Sequence, residues 1–472
     1  MEQIQLHELT IERAHRGYKE GQFTARDVTA YYLGRIATYN ERLHAVIQIN
    51  PDALFEAEAA DRAYRKGVRK PLLKPLLGIP VLIKDNIETN GLMRTTAGAA
   101  AMRHHFAARD AELVKRLRAD GAIILGKANL SEWANFLTEN MPNGWSDVGG
   151  QTMNPYGDGL DVGGSSSGSA SAVAANLTLL AVGSETSGSI VHPSVHNSIV
   201  GIKPTVGLIS RSGIIPISRS QDTAGPMART LRDAVIALQS MCGEDESDPA
   251  TWETPVGPPY VTCLDVRQAV GMRVGFIKPN ISDEEVGLYE GALRLLRQAE
   301  VELVEVTLPK HEALEQADIL FDEFKLGVEA YLANTTVPFK TLSDLIEWNA
   351  EHPESIPHGQ TIFEEANAKS GKLTEANYLN RRIEDVRLAK PEGIDTLLAS
   401  HKLDALVLPH DMNYDMAAKA GHPTITIPYQ LKKSGAPFGL SFTGTSYAER
   451  DLIRVAYAFE QFVTRPTPPD YS

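Results

Sequence analysis

The chain is predicted to adopt an α/β fold, on three observations. Short apolar runs of strand length recur along it, helical stretches lie between several of them, and the composition can fill a large core. The runs are "GIPVLIK", "AIILG", "MRVGFIKPN", "VELVEVTLP", "LDALVLPHD", "HPTITIPYQ" and "FGLSFTG". Strands alternating with helices imply a mostly parallel central sheet. The 472 residues are 43% hydrophobic and 22% charged, which suits an ordinary globular protein with a sizeable core.

Taken in order, the first clear element is a helix beginning after Thr24. Thr24 can cap it and Asp27 can reciprocate, while Val28, Tyr31, Tyr32 and Ile36 fall on one face. Ile79 to Ile83 is an apolar run that ends at Lys84, a pattern expected of a buried strand. An amphipathic helix is expected from Asp110; Gly121 stops it, and "AIILG" resumes as a strand. "SASAVAANLTLLAV" continues as a small-residue helix and then a strand. Residues from about 310 to 400 are charged, helical and poor in strand formers, which predicts a peripheral helical segment or lid. No fixed-period repeat and no low-complexity linker divides the chain, so 1–472 is expected to form one domain.

Charge and cysteine content exclude several classes. With 46 basic and 60 acidic residues the net charge is −14, which argues against a nucleic-acid partner. Cys242 and Cys263 cannot build a disulfide framework or a zinc site and are expected to be free core thiols. No stretch approaches the ~20 apolar residues of a membrane span. The first twenty residues lack the apolar run of a signal peptide, so a cytoplasmic location is the default expectation. The histidines of His192-Pro193-Ser194-Val195-His196 are spaced as in a zinc helix. They lack the Glu of H-E-x-x-H, and Pro193 disfavours a helix interior, so no metal and no cofactor is expected. His104 and His105 are expected at the surface.

The stretch "DVGGSSSGSASAVAANLTLLAVGSETSGSIVHP", residues 161–193, poses the functional question. A phosphate-binding loop would need a lysine after its last glycine and a strand before its first, and neither is present. Gly164-Ser165-Ser166-Ser167-Gly168 formally matches a nucleophile elbow, but no strand leads into it. That alternative would take its base from His401, His410 or His422. A linker would not feed a helix N-terminus, where backbone N–H groups and a positive dipole end collect. The remaining reading joins two serine clusters, around Ser165 and Ser189, to Lys84. Lysine can act as a base only when neutral. Lowering it from about 10.4 to about 7.5 by burial, at about 1.36 kcal/mol per unit, amounts to about 4 kcal/mol.

"GIPVLIKDNI", "GGSSSGSASAVAAN", "GSETSGSIVHPSVHNSIVGIKPTVGLISRSGIIPISRSQDTAGPMART" and "GLSFTG" together resemble the amidase signature family. The likeness spans most of residues 20–240 and returns at 403–462. "LSEWANF", "GWSDVGGQTMNPYG" and "SQDTAGPM" resemble bacterial peptide amidases most closely. The resemblance implies a large mixed central sheet covered by helices on both faces, with core motifs at 75–240 and 403–462. It also implies a Ser-cisSer-Lys triad: Ser189 as nucleophile, Ser165 at a cis peptide as relay, and Lys84 as base. The oxyanion hole would be the backbone N–H groups of Thr186, Ser187, Gly188 and Ser189. Ser166 would hydrogen-bond the lysine, and Asp222 would buttress the site. Asp85 and Asn86 either orient Lys84 or cap a loop. Many relatives carry an Arg where this chain has Val191, so any substrate role of that Arg is lost here.

The expected function is hydrolysis of a carboxamide through an acyl-enzyme, acting on a peptide C-terminal amide or another small or aryl amide. The alternatives are the amidase subunit of a tRNA-dependent amidotransferase and a serine esterase with a histidine base. The expected partner is a small-molecule or peptide amide, with no nucleic acid and no membrane; the sequence leaves the oligomeric state open, a homodimer included.

Overall fold

The structure is a computed structural model that describes residues 6–65, 74–311, 314, 318–468 and 471. Its strands in chain order are β1 (Val46–Ile49), β2 (Pro80–Lys84), β3 (Ile123–Ala128), β4 (Trp145–Ser146), β5 (Gly150–Gln151), β6 (Leu180–Glu185) and β7 (Val200–Lys203). They continue with β8 (Thr223–Ala228), β9 (Arg273–Phe276), β10 (Glu302–Glu305), β11 (Ala405–Pro409), β12 (Thr424–Leu431) and β13 (Pro437–Thr443). Eleven of them form one sheet in the order β1-β3-β2-β6-β8-β7-β12-β13-β11-β9-β10, and β4 and β5 form a small separate ribbon. Helices flank the sheet, and one apolar core runs from Leu9 to Tyr471.

The expectation of a mostly parallel sheet fails in the middle. β2 runs parallel to β3 and β6, and β9 runs parallel to β10 and β11. From β6 through β8, β7, β12 and β13 to β11 every neighbour is antiparallel. Connection length explains part of this. β12 and β13 are joined by residues 432–436, too few for a crossover, and Gly435 at φ +85° turns the chain back. β2, β3 and β6 are buried on both faces, as continuous apolar runs require.

The helix Ala25–Leu43 begins with the expected capping box, Thr24 and Asp27 each accepting from the other's backbone. The helix after Asp110 spans Glu112–Ala119 and ends where Gly121 adopts φ +90°. From 318 to 401 the described residues are mostly helical, with Asp318–Ala333, Leu342–Glu351, Thr361–Ala368, Ala376–Ala389 and Asp395–His401. This segment packs against the main body. Phe324, Val328 and Phe363 share a core with Trp133, Phe136, Ile215 and Ile217 from the main body. His105 is likewise not at the surface: it is buried, and its Nε2 lies 2.9 Å from Tyr331 Oη of the same helical segment. Cys242 and Cys263 are free thiols, half-buried and buried.

Candidate active site

Lys84 is the last residue of β2 and is fully buried. Its backbone pairs with Ala128 of β3, and the residue before it, Ile83, pairs with Val182 of β6. Nζ lies 2.7 Å from Ser165 Oγ and donates to the Ser184 carbonyl at 3.1 Å. Burial lowers the amine from the ordinary lysine value to about 7, against the opposing pull of Glu185 and Asp222. A large share of the amine is therefore neutral at physiological pH, and a neutral amine has a lone pair to accept a proton.

Ser165 follows a cis peptide bond from Gly164 and stands just before the helix Ser167–Ala174. Gly163, at φ +67°, begins the turn, and its N–H donates to Asp161 Oδ1 at 2.8 Å. Ser166 departs from its expected role. It does not bond Lys84; its hydroxyl donates to the Ser184 carbonyl at 3.1 Å, the same oxygen that Lys84 uses. That acceptor is available because β6 ends beside the serine helix. Gly183 makes the approach feasible, since a Cβ there would lie 2.8 Å from Ser166 Oγ.

Ser189 sits in the turn that follows β6, and its backbone carbonyl accepts from the Ser166 N–H at 3.1 Å. Gly188 adopts φ +77° and packs against the Tyr414 ring, where a Cβ would be 2.9 Å away. Among the described residues, the N–H groups of Thr186, Ser187, Gly188 and Ser189 donate to no protein acceptor. Four free donors in one turn beside a hydroxyl can receive an oxygen that becomes negative. The turn is held from both sides. Thr186 Oγ1 donates to Asp222 Oδ1 at 2.5 Å, and Asp222 Oδ2 accepts from the N–H groups of Ile217 and Ser218 at 2.9 Å. Burial pushes the Asp222 carboxyl up to about 6, and these hydrogen bonds oppose the shift. Ser187 Oγ donates to Asp415 Oδ1 at 2.6 Å.

Ser165 and Ser189 line one recess together with Asn86, Ser184, Glu185 and Thr186, and Ile214, Ile215 and Ile217 supply apolar wall. Among the described residues no histidine lines it, which leaves the nucleophile-elbow alternative without its base. Asp85 and Asn86 divide the two roles expected of them. The Asp85 carboxylate turns to the Thr96 N–H at 3.0 Å and to Lys127 at 3.6 Å, capping a loop. Asn86 Nδ2 donates to Ser184 Oγ at 2.9 Å and so supports the residue that carries the Lys84 acceptor.

Sequence reasoning missed Glu185. Its buried carboxylate accepts from the N–H groups of Ile190 and Val191 at 2.6 and 2.9 Å, closing the turn around Ser189. Val191 has no side chain that could pair with it, and the backbone N–H at that position fills the place instead. An acidic residue just before a helix start was the signal.

The Amidase family model matches residues 27–413. The chain belongs to the amidase family. It is 39% identical over 99% of its length to a probable amidase of Arabidopsis thaliana, covering 92% of that protein. The solved structure of the peptide amidase from Stenotrophomonas maltophilia superposes with a TM-score of 0.93 at 44% identity, covering 98% of each chain. One of the subunits of the glutamyl-tRNA(Gln) amidotransferase of Thermosynechococcus vestitus is 31% identical, covering 96% of this chain and 97% of that one. With this membership the chain is an amide-hydrolysing enzyme. No helix among the described residues is long and apolar enough to cross a membrane.

Proposed function

We propose that this amidase cleaves carboxamides through an acyl-enzyme on Ser189, with Lys84 as the base acting through Ser165. The observation that supports this most is the buried Lys84 amine, lowered to about 7 and 2.7 Å from Ser165 Oγ. A neutral Lys84 uses one N–H on the Ser184 carbonyl and aims its lone pair at the Ser165 hydroxyl. Ser165 then gives its proton to Lys84 as it takes one from Ser189. Ser189 Oγ bonds to the amide carbon, and the carbonyl oxygen takes the negative charge within reach of the 186–189 N–H groups. Removing one such donor costs about 10²–10³ in rate in comparable sites. As the C–N bond breaks, the proton returns from Lys84 through Ser165 to the leaving nitrogen, which departs as ammonia or an amine. Water then attacks the acyl-enzyme, passes its proton along the same relay, and releases the carboxylic acid and Ser189.

The substrate class we infer is a peptide C-terminal amide or another small or aryl amide. The 44%-identical peptide amidase and the isoleucine wall of the recess support it. The 31%-identical amidotransferase chain supports the competing reading, in which this chain is the amidase subunit of a tRNA-dependent amidotransferase. Val191, uncharged where many relatives carry Arg, argues for the free-standing enzyme. Purified chain alone is expected to release ammonia from a peptide amide and to be labelled at Ser189 by a fluorophosphonate. Labelling at Ser166, or hydrolysis that requires added partner proteins, would overturn the respective assignment.

A further inference from the structure

Three histidines and two aspartates gather beside the catalytic turn without lining its recess. His192 and His196 lie on the short helix Val191–His196, with Pro193 in its first turn, where a missing N–H does no harm. His410 and Asp411 follow β11, and Asp161 precedes the Gly163 turn. The His192 and His196 ring centroids are 4.3 Å apart, and those of His196 and His410 are 4.9 Å apart. His192 Nε2 is 3.6 Å from Asp411 Oδ2 and 3.8 Å from Asp161 Oδ2.

The geometry points to a divalent transition-metal site held by His196, His410 and Asp411, with zinc the ion best suited to it. One ligand atom from each of the three lies within 4.8 Å of the others. Bonds of about 2.0–2.2 Å place tetrahedral ligand atoms roughly 3.4 Å apart, so small side-chain rotations bring the three onto one ion. The tautomer of His196 is already set. Its Nδ1 lies 3.3 Å from the Asp161 carbonyl, which can only accept, so Nδ1 carries the proton and Nε2 the lone pair. His410 Nδ1 is a buried nitrogen with no hydrogen-bond partner, an unmet group that a cation would satisfy. His192 is a poorer ligand, because its Nδ1 accepts the Gly164 N–H at 3.3 Å and its proton therefore sits on Nε2. Two imidazoles and a carboxylate select zinc-like ions over magnesium or calcium.

The ion would tie the helix after Ser189 to the end of β11, and none of its ligands lines the recess. Its role is therefore a staple beside the site rather than a participant in amide cleavage. Untagged full-length protein, stripped with a chelator, should bind one zinc ion per chain by calorimetry and melt at a higher temperature with zinc present. Cobalt in its place should show the visible absorption of a nitrogen–oxygen site of low coordination number. His196→Ala and His410→Ala should each weaken zinc binding by about tenfold or more and abolish the rise in melting temperature. Asp411→Asn, which keeps the side-chain shape, should do the same, and circular dichroism without metal checks that each variant folds. Absence of saturable zinc binding, or equal affinity in all three variants, would overturn the site.

Discussion

Two buried lysines end up a few residues apart on neighbouring strands and live in different surroundings. Lys84 closes β2 against one hydroxyl and one carbonyl, with no carboxylate among the described residues within salt-bridge distance. Lys127, near the end of the parallel β3, sits 3.6 Å from the Asp85 carboxylate and also donates to the Ile87 carbonyl at 2.7 Å and Thr95 Oγ1 at 2.9 Å. Burial lowers both amines, but Asp85 pulls Lys127 back toward the charged form. On the proposed mechanism the same side chain serves as a base at Lys84, while at Lys127 it is half of a structural ion pair. The Asp85 carboxylate beside Lys127 is what separates the two.

The largest effect expected from this contrast is on turnover. Lys84→Met should lower kcat/KM by about 10²–10⁴ while leaving a folded protein, and Ser189→Ala should lower it further, by about 10⁴ or more. Lys127→Met should instead destabilise the fold by about 3–5 kcal/mol in urea unfolding, because it strands a buried Asp85. Equal losses of stability at the two positions would break the distinction.

The next effect is on pH dependence. As the base of the proposed relay Lys84 acts only when neutral, so kcat/KM should rise with pH through an apparent value near 7 and then level off. Its folded-state value lies below its unfolded one, so between about 7 and 10.5 the unfolded chain holds more protons and stability from this group increases with pH. The burial penalty is complete below about 7 and gone above about 10.5. The stability difference between wild type and Lys84→Met should therefore change across that window and stay flat below it.

Smaller effects belong to the residues that hold the geometry. Asp222→Asn weakens the anchor of Thr186 but leaves the N–H donors in place. It should lower kcat by less than the about 10²–10³ of a lost donor, with KM little changed. Ser166→Ala removes one of the two donors on the Ser184 carbonyl and should cost about 1 kcal/mol by thermal melting. The Lys84–Ser165 contact should survive it, so a collapse of activity in this variant would restore the direct Ser166–Lys84 bond that the sequence suggested.

Much of this was legible in the sequence, because an apolar run that ends in lysine has few places to go but a strand end. The serine clusters, the glycine turns and the first capping box follow from local chemistry in the same way. Strand direction at the sheet centre was not legible, since it depends on which distant strands meet. Ser166 was misjudged because two donors compete for nearby acceptors, and only coordinates show that the Ser184 carbonyl takes both. His105 was misjudged because its cover, Tyr331, lies in the helical segment whose contacts no motif announces. The spacing of His192 and His196 was visible, but His410 and Asp411 arrive from more than two hundred residues away.

Gly183 on β6 faces Gly225 on β8 in register. A Cβ at Gly183 would meet Ser166 Oγ, and one at Gly225 would strike the Ile202 carbonyl. At this pair of positions the two strands meet their neighbours as bare peptide. The floor beneath the proposed relay is therefore set by backbone hydrogen bonding between β6 and β8, so a side chain added at either glycine should shift the serine cluster or the sheet before it alters the wall of the recess.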